Sequence, residues 1–225
     1  MKISDAPSPN FDDRKRGVDM IVLHYTGMKT GAEALARMRD ADAKVSAHYM
    51  VEESGEIFRL VAEDKRAWHA GVASWKGETD INARSVGIEI VNPGHEFGYR
   101  DFPDAQIDAL IALTKDIRTR YNVSPAMVLG HSDVAPRRKE DPGEKFPWGR
   151  LAEEGLALAP YAGDGSEGAA VSYDEALQML QGIGYDAPAG DHAAALLAFQ
   201  RRFCPAWLGQ GFDRRTRAAL SLVAN

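Results

Sequence analysis

The stretch Met-Ile-Val-Leu-His-Tyr-Thr-Gly, residues 20–27, predicts a buried strand that ends in a polar side chain. A short apolar run of this kind is typical of a strand inside a sheet, and Gly27 then interrupts the pattern. His24 follows the apolar run directly. Side chains at the ends of such strands face a cleft at the edge of the sheet, where ligands commonly bind. His24 is therefore our first candidate functional residue.

Outward from this strand, strand-like and helical patterns alternate along the chain. The predicted elements are a helix over Gly31–Arg39, a hairpin over Ala47–Leu60, a strand over Ser85–Val91, an amphipathic helix over Asp104–Tyr121 and a strand over Met127–Gly130. Alternation of this kind favours an α/β domain. We expect that domain to cover residues 1–160.

The rest of the chain has a different character. Residues 161–170 are rich in glycine and predict a linker. Three helical patterns follow, over Ser172–Ile183, Asp191–Phe203 and Asp213–Val223, and the first opens with a capping-box pattern. We expect a small all-α three-helix domain at residues 171–225, which is near the lower size limit for independent folding.

Composition excludes several classes of protein. The 225 residues carry a formal charge of −6, which argues against a nucleic-acid partner. The single cysteine, Cys204, excludes an intramolecular disulfide. The sequence lacks the apolar core of a secretory signal and the roughly 20 apolar residues of a membrane span. We therefore expect a cytoplasmic protein without a membrane span.

A second histidine suggests a metal site. His131 follows the strand Met127–Gly130, and Asp141 comes ten residues later. With His24, these side chains offer two imidazole nitrogens and one carboxylate, a three-ligand set that leaves a fourth position of zinc open for water. A lone histidine at a strand end is more often a hydrogen-bonded structural residue, and the spacing of His131 and Asp141 is a weak pattern. The residues alone therefore leave both interpretations open.

Two further charged residues would complete a hydrolytic site. Glu89 lies within the apolar run Gly-Ile-Glu-Ile-Val, where a carboxylate is costly to bury without a role, so it is the leading candidate for a general base. The alternative is a side chain that points to solvent from a half-exposed strand. Lys139 precedes Asp141 by two residues, so in an extended stretch both would project to one face, where a cation stabilises an oxyanion. The alternative is a solvated surface lysine.

Five blocks of the sequence, in family order, resemble the N-acetylmuramoyl-L-alanine amidases of the peptidoglycan-recognition-protein fold, the amidase-2 family. They lie at residues 20–27, 45–51, 65–72, 85–90 and 130–143. The resemblance implies a mixed central β-sheet flanked by helices, with a cleft along one face. It also implies a residue set: Zn²⁺ at His24, His131 and Asp141, a base at Glu89, oxyanion stabilisation at Lys139, and a substrate groove that Lys44, Trp68 and His69 could line.

The activity that the resemblance implies is hydrolysis of the amide between N-acetylmuramic acid and the L-alanine of the stem peptide. Because no export signal is visible, we expect the substrate to be a soluble muropeptide of the 1,6-anhydro form, met in peptidoglycan recycling. The alternatives are a wall-lytic amidase that acts on intact peptidoglycan and a recognition module that binds peptidoglycan without cutting it. Residues 198–203 and 211–220 resemble a peptidoglycan-binding helical domain, and the alternative for them is a helical appendage that binds nothing.

Overall fold

The computed structural model describes residues 2–224. Its strands are β1 (Ile3–Asp5), β2 (Phe11–Asp13), β3 (Met20–Tyr25), β4 (Tyr49–Val51), β5 (Ile57–Arg59), β6 (Lys65–Ala67), β7 (Ser74–Trp75), β8 (Glu78–Thr79), β9 (Ser85–Ile90) and β10 (Val128–Gly130). Its helices are α1 (Gly31–Arg39), α2 (Gly94–Phe97), α3 (Asp104–Arg120), α4 (His131–Val134), α5 (Trp148–Glu153), α6 (Tyr173–Ile183), α7 (Ala193–Phe203) and α8 (Arg214–Ala224). None of the helices in residues 2–224 has the length and apolar character that crossing a membrane requires.

The centre of the fold is a six-stranded sheet in the order β1-β5-β4-β9-β3-β10. Within it β4 and β5 form the predicted hairpin and are antiparallel, whereas the other neighbouring pairs are parallel. The prediction of a mixed central sheet flanked by helices is confirmed. Two small antiparallel ribbons, β2-β6 and β7-β8, lie outside the main sheet.

The two central strands present different side chains to the two faces of the sheet, because successive residues of a strand alternate in direction. One face packs against α3 through aliphatic residues of β3 and β9: Ile21, Leu23, Val86, Ile88 and Ile90. The other face carries Met20 and Val22, which belong to a separate core cluster. By the same alternation His24 and Glu89 lie on this second face, which is the face of the cleft.

The last three helices also pack on the cleft side. Met20 and Val22 share one core cluster with Leu180 of α6, Phe199 of α7 and Leu220 of α8. Between the regions, the 3-10 helix Ser166–Ala170 lies where a linker was expected. The division into residues 1–160, 161–170 and 171–225 stays a prediction, because a shared core does not decide whether a segment folds alone. Met1 and Asn225 lie outside the described residues.

The long elements agree with their predicted bounds to within a few residues, but short ones were missed. The unpredicted elements are β1, β2, β6, β7, β8, α2, α4 and α5. None of these strands exceeds three residues, and the residues of β2 and β8 are exposed. Such segments are too short to show an apolar period, so the sequence carries no signal for them.

Candidate metal centre and cleft

Three neighbouring parallel strands bring the side chains of the candidate site to one edge of the sheet. His24 of β3 is the register partner of Glu89 of β9. On the other side of β3, Gly130 of β10 pairs with Leu23, and His131 follows as the first residue of α4. Because the carboxyl ends of parallel strands meet at one edge, these residues converge although the sequence separates them widely.

The two histidines and Asp141 form a compact buried cluster. His24 Nδ1 lies 2.9 Å from His131 Nδ1 and 3.2 Å from Asp141 Oδ2. His131 Nδ1 lies 3.0 Å from the same carboxylate oxygen. The exposed fraction is 5% or less for each of the three residues. Within residues 2–224 this trio is the group of histidine, cysteine and acidic side chains whose ligand atoms lie close enough to hold a metal ion.

The protonation of the trio suits a metal. Burial, with His131 nearby, lowers the pKa of His24 to about 4, which favours the neutral ring. Burial alone would raise the pKa of Asp141, but His131 and His24 outweigh it and lower that pKa, so the group is a carboxylate. His131 Nε2 lies 3.0 Å from the carbonyl oxygen of Ala70 and donates to it, so a neutral His131 presents the lone pair of Nδ1 to the cluster. Nitrogen lone pairs facing a carboxylate oxygen at this distance are the donor set that zinc takes in catalytic sites.

Glu89 stands beside the cluster with unusual electrostatics. Its Oε2 atom is buried and finds no hydrogen-bond partner within residues 2–224. Burial raises the pKa of Glu89 well above its usual range, Asp141 raises it further, and Lys139 opposes the shift. A carboxyl group whose pKa is raised binds a proton more readily than an ordinary glutamate, so it is able both to accept a proton and to return it.

The cluster opens into a cavity of about 390 Å³, which Glu89, Lys139 and Asp141 also line. A second recess of about 320 Å³ adjoins it and shares Arg37 and Glu89 with it. The side chains that line only the recess are apolar: Met28, Ala34 and Met38. Together the two spaces can hold an elongated ligand with a polar and an apolar part. Sequence reasoning missed Arg37, because an exposed arginine on a helix carries no distinguishing pattern.

The residues predicted to line the substrate groove have different positions. His69 is buried, lines the cavity and contacts His24. Lys44 is exposed and lies next to Val45, which does line the cavity. The indole of Trp68 is half-buried and donates through Nε1 to Asp12 at 3.2 Å, away from the cluster. Contact with substrate stays a prediction for all three residues.

His131 depends on residues far along the chain. Asp133, in the same short helix, accepts hydrogen bonds from the Gly130 N–H at 2.7 Å, the Tyr185 hydroxyl at 2.6 Å and the Arg202 guanidinium at 2.7 Å. Arg202 also donates to the carbonyl oxygen of Val128 and stacks on Trp148. The buried group Asp133, Tyr185 and Arg202, here called the Asp133 clamp, thus connects α4 with the C-terminal helices. No local pattern in the sequence predicts this group of contacts.

A mixed β-sheet flanked by helices, with a buried cluster of two histidines and one carboxylate and an acid beside it, is a candidate metal site of the hydrolase type. A family model described as N-acetylmuramoyl-L-alanine amidase matches residues 13–144. The chain belongs to this family, and the prediction of the family and of its enzymatic class is confirmed.

Individual relatives extend this likeness over most of the chain. The N-acetylmuramoyl-L-alanine amidase AmiD of Escherichia coli is 34% identical over 224 aligned residues, covering 89% of this chain and 80% of AmiD. AmiD in complex with the substrate anhydro-N-acetylmuramic acid-L-Ala-D-gamma-Glu-L-Lys superposes with a TM-score of 0.82, covering 92% of this chain and 88% of AmiD. AmpDh3 of Pseudomonas aeruginosa, in complex with anhydromuramic pentapeptide, gives a TM-score of 0.80 at 33% identity, with coverage of 95% and 92%. The 1,6-anhydro-N-acetylmuramyl-L-alanine amidase AmpD of Citrobacter freundii is 42% identical over 111 residues, which are 49% of this chain and 57% of AmpD.

Proposed function

We propose that this chain is a zinc-dependent amidase that hydrolyses the bond between N-acetylmuramic acid and L-alanine in soluble 1,6-anhydro-muropeptides. The observation that carries the proposal is the convergence of His24, His131 and Asp141 beside Glu89. It occurs in a chain that is 34% identical to AmiD, whose structure was determined with an anhydro-muropeptide substrate.

Zinc would be held by His24 Nδ1, His131 Nδ1 and Asp141 Oδ2, the three atoms that face one another. When bound, zinc supplies Lewis-acid chemistry, which lowers the pKa of water to about 7 and polarises a carbonyl group. The burial of the three side chains keeps bulk water away from the ligands.

Glu89 and Lys139 carry the proton transfer and the charge stabilisation. In the proposed reaction, the oxygen of water bonds to the lactyl carbonyl carbon while Glu89 accepts the proton that water gives up. Lys139, at the wall of the same cavity, donates to the carbonyl oxygen as negative charge develops on it. The C–N bond then breaks, and Glu89 returns the proton to the departing amine of L-alanine. The raised pKa of Glu89 suits this double task, because it makes the carboxylate a stronger proton acceptor than an ordinary glutamate.

The cavity and its recess suit the two parts of a muropeptide. The polar space at the cluster and the apolar recess meet at Arg37 and Glu89, so one ligand can occupy both. We propose that the scissile amide lies at Glu89 and that the rest of the ligand extends along the recess. Lys44 and Trp68 would contact the ligand only outside these two spaces.

We assign the enzyme to peptidoglycan recycling in the cytoplasm. Support comes from the relatives named as 1,6-anhydro-N-acetylmuramyl-L-alanine amidases. The buried free thiol of Cys204 is compatible with a reducing compartment. The rival assignment, a lytic role on the intact wall, is favoured by the likeness of residues 198–220 to a peptidoglycan-binding domain.

Mass spectrometry of the products separates the two assignments. The zinc-loaded enzyme is incubated in parallel with purified anhydro-muropeptides and with intact sacculi, at equal concentrations of stem peptide. We expect free stem peptide to appear faster from the anhydro-muropeptides. Faster release from sacculi would contradict the recycling assignment and favour the lytic one, and release from neither would favour a recognition module.

A further inference from the structure

His69 lies directly behind His24, on the side away from Asp141. Its Nδ1 atom is 3.0 Å from His24 Nε2, and its own Nε2 atom is 3.1 Å from the hydroxyl oxygen of Ser85. His69 is 6% exposed and Ser85 is fully buried. The three side chains therefore form a chain of contacts that leads from the candidate metal cluster into the protein interior.

The hydrogen bond of the Ser85 hydroxyl determines which atom donates and which accepts in the other two contacts. The Ser85 hydroxyl donates its single hydrogen to the carbonyl oxygen of Ile81 at 2.7 Å. Its oxygen must therefore accept from Nε2–H of His69, and Nδ1 of a neutral His69 is left as an acceptor. His24 then donates Nε2–H to His69, which leaves the lone pair of His24 Nδ1 directed at the cluster.

Ala70, the residue after His69, fixes the tautomer of the second histidine, His131, in the same way. The carbonyl oxygen of Ala70 accepts from His131 Nε2 at 3.0 Å, so Nδ1 of His131 also presents a lone pair. The backbone at this point is held by Asn82, whose Oδ1 atom accepts the N–H of His69 at 3.2 Å and that of Ala70 at 2.7 Å. One anchored dipeptide thus contacts both histidines of the cluster.

Gly87 makes room for the His69 ring. A Cβ atom at Gly87 would lie 2.4 Å from Cγ and 2.7 Å from Nδ1 of His69, closer than atoms can approach. Glycine in the middle of a buried strand is normally unfavourable because it adds no packing and loses entropy. The glycine is explained because the imidazole of His69 occupies the space that a side chain at this position of β9 would need.

We propose that His69, with the carbonyl group of Ala70, is a positioning element of the metal centre that sets the tautomers of both histidine ligands. It acts through His24 and does not touch the reacting atoms, so it is distinct from the substrate contact that the sequence suggested for His69. The inference rests on the metal role proposed above for His24 and His131. An outer partner of this kind fixes ring orientation and ligand basicity, and its loss typically weakens metal binding by about 10–100-fold.

The test measures zinc affinity in the full-length apoprotein by competition with a chromophoric chelator. His69→Leu removes the acceptor and keeps most of the volume, whereas His69→Asn keeps an amide oxygen close to the position of Nδ1. We expect zinc binding to weaken at least about tenfold in His69→Leu and to stay within about threefold of wild type in His69→Asn. His192→Leu is the matched control, because His192 contacts Tyr173 and Phe212 in the C-terminal helices.

Two further variants keep the inference testable if His69→Leu does not fold. Gly87→Ala displaces the ring without removing a polar group, and Ser85→Ala frees the His69 tautomer, so both are expected to weaken zinc binding. The visible spectrum of the cobalt-substituted protein should change in the same variants and stay unchanged in His192→Leu. A folded His69→Leu protein with wild-type zinc affinity would overturn the inference, as would a lower melting temperature of the apoprotein with unchanged affinity. Absence of zinc binding by the wild-type protein would instead overturn the proposed function.

Discussion

The two histidines of the candidate metal cluster are supported from different parts of the chain. His24 is backed by His69 and Ser85, so its support lies in the central sheet and in the loop that follows β6. His131 begins α4, and Asp133 of that helix is tied to Tyr185 and Arg202. One side of the centre is thus supported within the sheet, and the other relies on the C-terminal helices. The difference teaches that the C-terminal helices contact the segment that carries His131, through Arg202, as well as packing on the sheet.

The largest effect is expected from the substitution of either histidine ligand. This experiment tests whether His24 and His131 are equally necessary for zinc binding. We expect His24→Ala and His131→Ala each to lose zinc and to lower kcat/KM at least about 10³-fold, because neither leaves a complete three-ligand set. Metal content and muropeptide hydrolysis are measured together, with His192→Ala as the control. Retained zinc and activity in only one of the variants would show that the cluster is not a joint site.

Substitution of Glu89 should separate chemistry from metal binding. Glu89→Gln keeps the shape but removes the proton acceptor, so we expect kcat to fall about 10²–10⁴-fold while zinc affinity is unchanged. Glu78→Gln, in the exposed strand β8, is the matched control. Near-normal turnover by Glu89→Gln would remove the base assignment.

Substitution in the Asp133 clamp is the next test, and it concerns only the support of His131. Arg202→Met leaves the buried Asp133 carboxylate without its cation, so the free energy of unfolding should fall by about 3–5 kcal/mol. Arg137 is the control, because it also reaches the C-terminal segment, through Asp186 and Asp191, but in solvent. Arg137→Met should cost at most about 1 kcal/mol. Equal losses in urea unfolding would show that the clamp contributes no more than a surface pair.

The smallest expected effect is a pH dependence of the stability that comes from His48, which contacts the central sheet. Burial, with Arg14 nearby, lowers the pKa of His48 from about 6.5 to about 4. The unfolded chain therefore binds a proton at His48 between these pH values and the folded protein does not, so stability falls as the pH decreases through this window. The contribution reaches about 3 kcal/mol near pH 4.

His48→Asn serves as the comparison for this prediction, because its amide oxygen can still accept from the Gly87 N–H as His48 Nδ1 does at 2.9 Å. Urea unfolding of the two metal-free proteins is followed between pH 7 and pH 4. We expect a shallower loss of stability in His48→Asn. Parallel curves would show that His48 does not contribute to the acid sensitivity.

The contrast between the support of His24 and that of His131 also explains how much of the candidate site the sequence could predict. His24 and Glu89 lie within apolar strands, where a polar side chain is conspicuous, and the family-like blocks connected them with His131, Lys139 and Asp141. Their convergence at one sheet edge follows from the parallel order of β9, β3 and β10. His24, Glu89 and His131 were accessible because each lies within its strand or directly after it.

The supporting contacts were not accessible, because they join residues far apart in sequence. Tyr185 and Arg202 reach Asp133 across 52 and 69 residues. A sequence also does not show which nitrogen of His69 carries the proton, since that depends on the acceptor to which the Ser85 hydroxyl donates. Gly87 was the one visible hint, a glycine inside a buried strand, and its meaning emerged only with the ring of His69 above it.

The most direct test of the central claim follows the oxygen of water into the product. Metal-free enzyme is reloaded with zinc and incubated with an anhydro-muropeptide in ¹⁸O-labelled water, and the products are analysed by mass spectrometry. We expect free stem peptide without label and an anhydro-muramic acid that carries one ¹⁸O atom in its lactyl carboxylate, with no products before zinc is added. Hydrolysis by the metal-free enzyme, or label in the peptide product, would contradict a zinc amidase that cuts at the lactyl carbonyl.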